Sequence, residues 1–460
     1  MRHHILCRWM FGLCVICALI CWSTEAQSNH RLTAGPMVGH VSESTATLWM
    51  RVGNPGTQIR ATAYQNGIRV DGLPAMLRNT NYFLMRFEDL LPGMSTHAQI
   101  VVGKEGERPL ETHDVFFSTA PPPEATGLLR IAFGSCSQDS RRPYAPVYEA
   151  MAFEEPDIAI FVGDNSYFVV GDGHWNTSGA IGDWTSAEGM LSRHMRTRTN
   201  PYLQRLLRSV PCYAVWDDHD YGPNNSDRTF EHRDLALQVF RQVWANPSYG
   251  TAETPGIFSN FRRGPVEIFL MDDRYHKWVA TDKHPSVSDK DAEIWGEGQL
   301  NWLLDALGRS NAPVKVIANG TQIISKDGRG EGHFNEAPEE LNKLLAFLKE
   351  RKIGGVIFLS GDRHITEVLR LEQSDGPDIL EFTSSPIQQG QAFAVLERDH
   401  PTHLWAARGN SYGLVTIEVE GQREGSIRFE MRDANNYVPQ AGDRSMMSEF
   451  PLSGLLYPEE

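Results

Sequence analysis

At 460 residues the chain is longer than one hydrophobic core usually serves, so a main unit and at least one smaller module are expected. Hydrophobic content of 41% and aromatic content of 10% argue against a disordered chain, and no low-complexity tract or internal repeat is visible. A formal charge of −15 argues against a nucleic-acid-binding patch or adhesion to an anionic membrane; any site for an anionic substrate must bring cations of its own.

Residues 1–26 read as a secretory signal: Arg2 and Arg8 precede an apolar stretch from Trp9 to Trp22, and Thr24-Glu25-Ala26 offers small residues around a cleavage point. That stretch is shorter than the ~20 residues that span a bilayer, so no stable membrane anchor is expected. Bulky Ile20 before Cys21 argues against lipid attachment. The expected location is exported, periplasmic or extracellular, with the mature chain starting near Gln27. Cys7, Cys14, Cys17 and Cys21 leave with the signal, and Cys136 and Cys212 remain. Export makes one disulfide the default.

Residues 30–119 alternate without helical periodicity over Thr45–Val52, Gln58–Tyr64, Tyr82–Phe87, His97–Val102 and His113–Ser118, which predicts a small β-sandwich. Leu90-Leu91-Pro92-Gly93 before His97-Ala98-Gln99-Ile100 resembles the turn ahead of a late strand in fibronectin type III domains. Pro121-Pro122-Pro123 reads as a stiff linker. From 125 to 435 the rhythm changes to that of a layered α/β sandwich with parallel strands, followed by a C-terminal tail over 436–460. The expected strands are Leu128–Phe133, Ile158–Val162, Cys212–Trp216, Val266–Met271, Val314–Ala318 and Gly355–Leu359, with more β structure at Ile379–Thr383, Leu414–Val419 and Ser426–Met431. A helix opens at Glu336-Ala337-Pro338-Glu339-Glu340 and lines its packed face with Leu341, Leu344, Leu345 and Leu348. Cys136 follows one parallel strand and Cys212 opens another, which puts them at opposite sheet edges, roughly 15 Å apart. That exceeds the ~7 Å limit between Cα atoms of a disulfide, so both cysteines are expected unpaired.

Each core strand ends in an abrupt change from apolar to polar: Gly134-Ser135-Cys136, Gly163-Asp164-Asn165, Asp217-Asp218-His219, Asp272-Asp273-Arg274, Asn319-Gly320 and Gly361-Asp362-Arg363-His364. In α/β sheets the loops beyond the carboxyl ends of the strands converge on one crevice, so these residues are expected to meet. Asp and His are usual ligands for hard and borderline cations. Alone, Asp164 also suits a helix or turn cap. The run Asp217-Asp218-His219-Asp220 is harder to dismiss, because three carboxylates around one imidazole repel one another unless a cation or strong donors neutralise them.

Gly163-Asp164, Asp218-His219 and Asp362-x-His364 resemble the motifs of calcineurin-like metallophosphoesterases. With Gly134-Ser135-Cys136, Asn165-Ser166-Tyr167, Trp216 to Asp220, Asn224-Asn225 and Met271-Asp272-Asp273-Arg274 added, the set resembles the alkaline phosphatase D (PhoD-like) family over roughly residues 30 to 435. The resemblance implies an iron–calcium centre that maps onto Cys136, Tyr167, Asp164, Asp362 and His364 for iron (Fe3+). Calcium is left to oxygens of Asp164, Asp217 or Asp218, and Asn224 or Asn225, with Asp218 favoured over Asp217. Cys136 is then a ligand, and Cys212 a buried small hydrophobe. One departure is Asp220, where family members often carry Glu; it bears on the metal rather than on the reaction class.

The implied activity is hydrolysis of small-molecule phosphate mono- or diesters by metal-activated water. Asp164 is expected to bridge cations, and His219 to orient phosphate or protonate the leaving oxygen, a structural hydrogen bond to a neighbouring Asp being the other reading of His219. Arg274 and Arg363 are candidates to clamp phosphate, although an Asp–Arg pair explains either equally well. Phe168, Trp175 and Tyr221 are candidates to stack on an organic leaving group, against the commoner role of packing. The rival classes are a catalytically inert surface-binding protein and a metal hydrolase of a non-phosphate substrate.

Overall fold

The computed structural model describes residues 30–76, 81–138, 145–167, 184–282, 284–326, 331–389, 400–421, 423–441 and 444–458, so the leader, Phe168 and Trp175 lie outside the described residues. The first unit consists of two four-stranded antiparallel sheets. One runs in the order Leu32–Val41, Ala46–Val52, Tyr82–Phe87, Leu73–Met76, the other Ile68–Asp71, Gln58–Gln65, Ser95–Gly103, Glu111–Ser118. Alternate residues of both sheets, among them Leu48, Met50, Ile59, Phe83, Ile100 and Val115, fill a common core. Sequence reading missed Leu32–Val41, because irregularities in its pairing with Ala46–Val52 break the two-residue alternation.

The larger unit packs a six-stranded sheet on a seven-stranded one. The first orders its strands Cys212–Val215, Ile158–Val162, Gly127–Gly134, Tyr412–Val419, Gly425–Arg432 and Met447–Pro451. In the second the order is Ser259–Arg263, Val266–Leu270, Val314–Ala318, Val356–Ser360, Ile379–Thr383, Thr366–Leu371 and His403–Ala407. Ile131, Phe133 and Ile160 of one sheet meet Ile268, Val316, Leu359 and Phe382 of the other in one apolar layer. On the outer face of the seven-stranded sheet, helices Gly296–Arg309 and Pro338–Glu350 bury Leu300, Leu303, Leu341 and Leu344 against Phe269, Ile317 and Phe358. These helices present one apolar face each, and Pro338 starts the second where a missing N–H is harmless.

Three differences from the sequence reading have physical causes. The sheets are mixed rather than parallel: parallel cores such as Val266–Leu270 through Ile379–Thr383 are flanked by antiparallel strands. Ser259–Arg263, Thr366–Leu371 and His403–Ala407 escaped notice because Arg262, Arg263, Glu367, Arg370 and His403 interrupt their apolar runs. The stretch read as a C-terminal tail supplies Met447–Pro451, which pairs with Gly425–Arg432 and is followed by buried Leu452 and Leu455.

Cys136 and Cys212 are both free and buried. They are not at opposite edges of the sheet, as a single strand separates theirs. Register puts Cys212 level with Ala159 and Ala132, whereas Cys136 lies beyond Gly134, so the distance between them runs along the strands. The two units are docked: Trp49 Nε1 donates to Gln242 O at 2.7 Å, His40 N to Ala245 O at 2.8 Å and Val41 N to Tyr213 OH at 3.2 Å.

Candidate metal centre

Strand ends from both sheets converge, and their backbone is unusual. Cys136, Asp164, Asn225, Asp362 and His364 all have positive φ, between 51° and 61°. Non-glycine residues enter that region at a cost of order 1–3 kcal/mol each and persist where the surroundings over-determine them. Gly163 belongs to the same bend at φ 86°, and a Cβ there would stand 2.6 Å from Asp217 Cβ, so two strand ends approach to backbone contact.

Asp164 is the hub. Its Oδ2 accepts from the Tyr167 hydroxyl at 2.6 Å and lies 3.5 Å from Cys136 Sγ. Its Oδ1 accepts from His219 N–H at 3.2 Å. The Cys136 thiol is 3.7 Å from the backbone oxygen of Asp362, and the Tyr167 ring lies 4.4 Å from the His219 ring, centre to centre. Cys136, Asp164 and His364 offer ligand atoms within 4.8 Å of one another, as do Asp164, Asp218 and His219. Asp164 belongs to both groups.

Burial pushes the Asp164 carboxyl well above the usual range, and Asp218 and Asp220 add to the push. The Cys136 thiol and the Tyr167 phenol are driven up by burial first and by Asp164 second. Burial and then Glu331 raise Asp362 to about 6. His364 is lowered to about 4 by burial, with His219 and Arg363 adding, and His219 is lowered by burial, so both imidazoles are neutral near pH 7. A cation among these donors favours every anionic form that burial opposes, and takes neutral imidazole as it stands. Thiolate, phenolate, carboxylate and imidazole together suit iron, whereas Asp164 and Asp218 supply the oxygens that calcium takes. The residues present therefore fit the implied cations.

Residues 131–435 match the family of PhoD-like phosphatases, well over half of the chain. The chain belongs to the PhoD-like phosphatase family. Alkaline phosphatase D of Bacillus subtilis (strain 168) is 24% identical over 283 residues, 54% of this chain and 48% of that protein, so the match spans about half the length of this relative. The solved structure of PhoD superposes with a TM-score of 0.73 at 18% identity, covering 93% of this chain and 92% of that one. Purple acid phosphatase from yellow lupin (Lupinus luteus) seeds gives 0.61 at 10% identity, covering 90% and 73%. At these identities the two structures show a common metallophosphatase-like fold.

Other residues of the PhoD-like pattern take different places. Asp217 Oδ1 accepts from Arg274 Nε at 2.6 Å and from Asp218 N–H at the start of the short helix Asp218–Tyr221. Arg274 is 1% exposed and pairs with Glu331 at 2.8 Å as well. A guanidinium engaged and enclosed in this way holds carboxylates, which is the Asp–Arg pairing that the sequence left open beside a phosphate clamp. Arg363 lies closer to solvent, 3.9 Å from Asp362. Asn224 and Asn225 are exposed; the Asn224 amide donates to Asn225 Oδ1 at 2.6 Å, and Asn225 N–H donates to Asp218 Oδ2 at 2.6 Å. Asp220 accepts from Asn165 N, Asn165 Nδ2 and Ser166 N at 3.0–3.1 Å, which fixes the loop carrying Asp164 from beneath. Tyr221 is buried against Trp216 and Phe230, a packing role rather than a stacking surface.

Sequence reading missed Gln389, whose Oε1 accepts from Tyr167 OH at 3.3 Å, and Ser385, whose Oγ accepts from His364 N–H at 3.1 Å. The abrupt polar turn after Ile379–Thr383 was available as a signal for both. Glu331 gave no such signal, because it follows no strand.

Proposed function

We propose that the chain is an exported, metal-dependent phosphoesterase that hydrolyses small-molecule phosphate mono- or diesters, with iron and calcium as its cations. The observation that carries this reading is Asp164, shared by two adjoining groups of donors that are buried apart from half-buried His364. Cys136, Tyr167, Asp164, Asp362 and His364 would hold iron; Asp164 and Asp218, with Asn225 beside it, would hold calcium. When bound, such cations supply Lewis acidity toward a phosphate ester and toward water.

The chain's own groups do the rest. Tyr167 and the backbone N–H of His219 fix the two oxygens of Asp164, so its orientation is set before any substrate arrives. His219, its ring against Tyr167, would hydrogen-bond a phosphate oxygen, or hand a proton to the leaving oxygen once it has itself been protonated. Arg363, 3.9 Å from Asp362, would help grip phosphate. Export rests on Arg2, Arg8 and the apolar run that follows. The division into residues 30–119, fibronectin III-like, and 125–435 belongs to the same reading. No helix among the described residues is long and apolar enough to cross a membrane.

The test is an assay of the purified full chain on a chromogenic phosphomonoester and a chromogenic diester, with calcium and with chelator. Hydrolysis of at least one ester, abolished by chelator and restored by metal, is expected. Failure on both esters in metal-replete protein would favour a binding role or a different substrate, and chelator-insensitive hydrolysis would remove the metals from the mechanism.

A further inference from the structure

A second cluster of metal-ligating side chains lies apart from the centre just described and shares no residue with it. Glu367 stands on Thr366–Leu371 with its carboxylate fully buried. His400-Pro401-Thr402-His403 forms a tight turn, closed by His403 N–H donating to His400 O at 3.1 Å, with proline where such turns favour it. The turn brings the two rings to 5.5 Å, centre to centre, and is tied to the strand by Arg370 N–H donating to Thr402 O at 2.7 Å.

Hydrogen bonding fixes which nitrogen of His400 faces Glu367. The Thr402 hydroxyl donates to Ile324 O at 3.1 Å, so its oxygen accepts from His400 Nδ1–H at 3.0 Å. In the neutral ring, Nε2 then carries a lone pair. That Nε2 is buried, has no hydrogen-bond partner among the described residues, and sits 3.6 Å from Glu367 Oε1. A cation between them, or a proton on Nε2, would turn this facing of lone pairs into an attraction. His403 Nδ1 reaches the same oxygen at 2.8 Å. The other Glu367 oxygen is held by Gln322 Nε2 at 2.8 Å, itself bonded to Thr383.

We propose that Glu367, His400 and His403 form a mononuclear site for a zinc-class divalent cation, with water completing the coordination. Tetrahedral ligands at about 2.0–2.1 Å from zinc stand about 3.3 Å apart, and the two distances to Glu367 Oε1 bracket that value. All three ligand atoms lie within 4.8 Å of one another. Two imidazoles and a single carboxylate suit zinc better than calcium or magnesium, which take mostly oxygen. Thr402 and Gln322 are the outer partners that orient ring and carboxylate, as bound metals commonly require. The ion would pin the 400–403 turn to Thr366–Leu371.

The experiment is zinc chloride titration of the purified full chain by calorimetry, with elemental analysis after dialysis and with calcium in excess as competitor. Wild type and His364→Ala are expected to hold one zinc equivalent that His400→Ala and His403→Ala lack, and calcium should not displace it. Thr402→Val, which keeps all three ligands, should weaken that zinc about 10–100-fold, and it serves as the readout where a histidine variant fails to fold. Equal zinc stoichiometry in wild type and His400→Ala, or unchanged affinity in Thr402→Val, would overturn the site.

Discussion

Asp217 and Asp218 are neighbours in the chain and lie in opposite electrostatic surroundings. Asp217 faces Arg274; Arg274 also meets Glu331, and Lys277 joins Glu331 and Glu336 at 2.6 and 3.0 Å. Asp218 stands with Asp164 and His219, 4.0 Å from His219 Nε2, and Arg363 lies 3.9 Å from Asp362 in the same centre. In the first cluster the protein supplies its own cations; on the proposed reading, metal ions supply most of the positive charge in the second. A fully enclosed carboxylate is met by one or the other or takes up a proton. The comparison separates scaffold from chemistry where sequence showed one acidic run.

The largest expected effect comes from Asp164→Asn. It removes the carboxylate common to both donor groups, so hydrolysis should fall by about 10³-fold or more, equivalent to about 4 kcal/mol of barrier. Stability of the metal-free protein should hold or rise, because a buried carboxyl crowded by Asp218 and Asp220 gives way to a neutral amide; kcat/KM and thermal unfolding read the two effects. His364→Ala is expected to lose iron together with activity, read by elemental analysis beside the ester assay, and retention of both would break its assignment.

Arg274→Met should invert the pattern. Leaving Asp217 and Glu331 without their guanidinium is expected to destabilise the fold by about 3–5 kcal/mol, measured by urea unfolding. Unchanged stability with a raised KM would return Arg274 to the phosphate. The smallest effect is expected away from both clusters, at the contact between units, where burial lowers His40 from 6.5 to about 4 and Arg86 and Arg263 add to it. The folded state keeps this ring neutral while the unfolded chain protonates it. Its contribution is intact above pH 6.5 and is lost as pH falls toward about 4, a slope in melting temperature that His40→Gln should flatten.

Much of this was legible because apolar runs ending in Gly, Asp or His mark the carboxyl ends of parallel strands. Ile158–Val162 and Val314–Ala318 fall where that rule puts them, and Ile379–Thr383 was read from its apolar run alone. Cys136, Asp164, Tyr167, Asp218, His219 and His364 meet, with Asp362 near them through its backbone oxygen, since register aligns strand ends within each sheet and the packing of the two sheets brings both sets together. The antiparallel strands were hidden by charges that tertiary contacts satisfy, Glu367 by Gln322 and His403 for one. Division of labour within Asp217-Asp218-His219-Asp220 was hidden too. Which carboxylate turns to Arg274 depends on a strand from the other sheet, about which local sequence says nothing.

The most direct test is elemental analysis of the purified full chain and of Asp164→Asn, with ester hydrolysis measured on the same samples. Wild type should carry iron and calcium in step with its activity, and Asp164→Asn should lose both metals with the fold intact. Metal-free wild type that hydrolyses the esters at full rate would contradict the account.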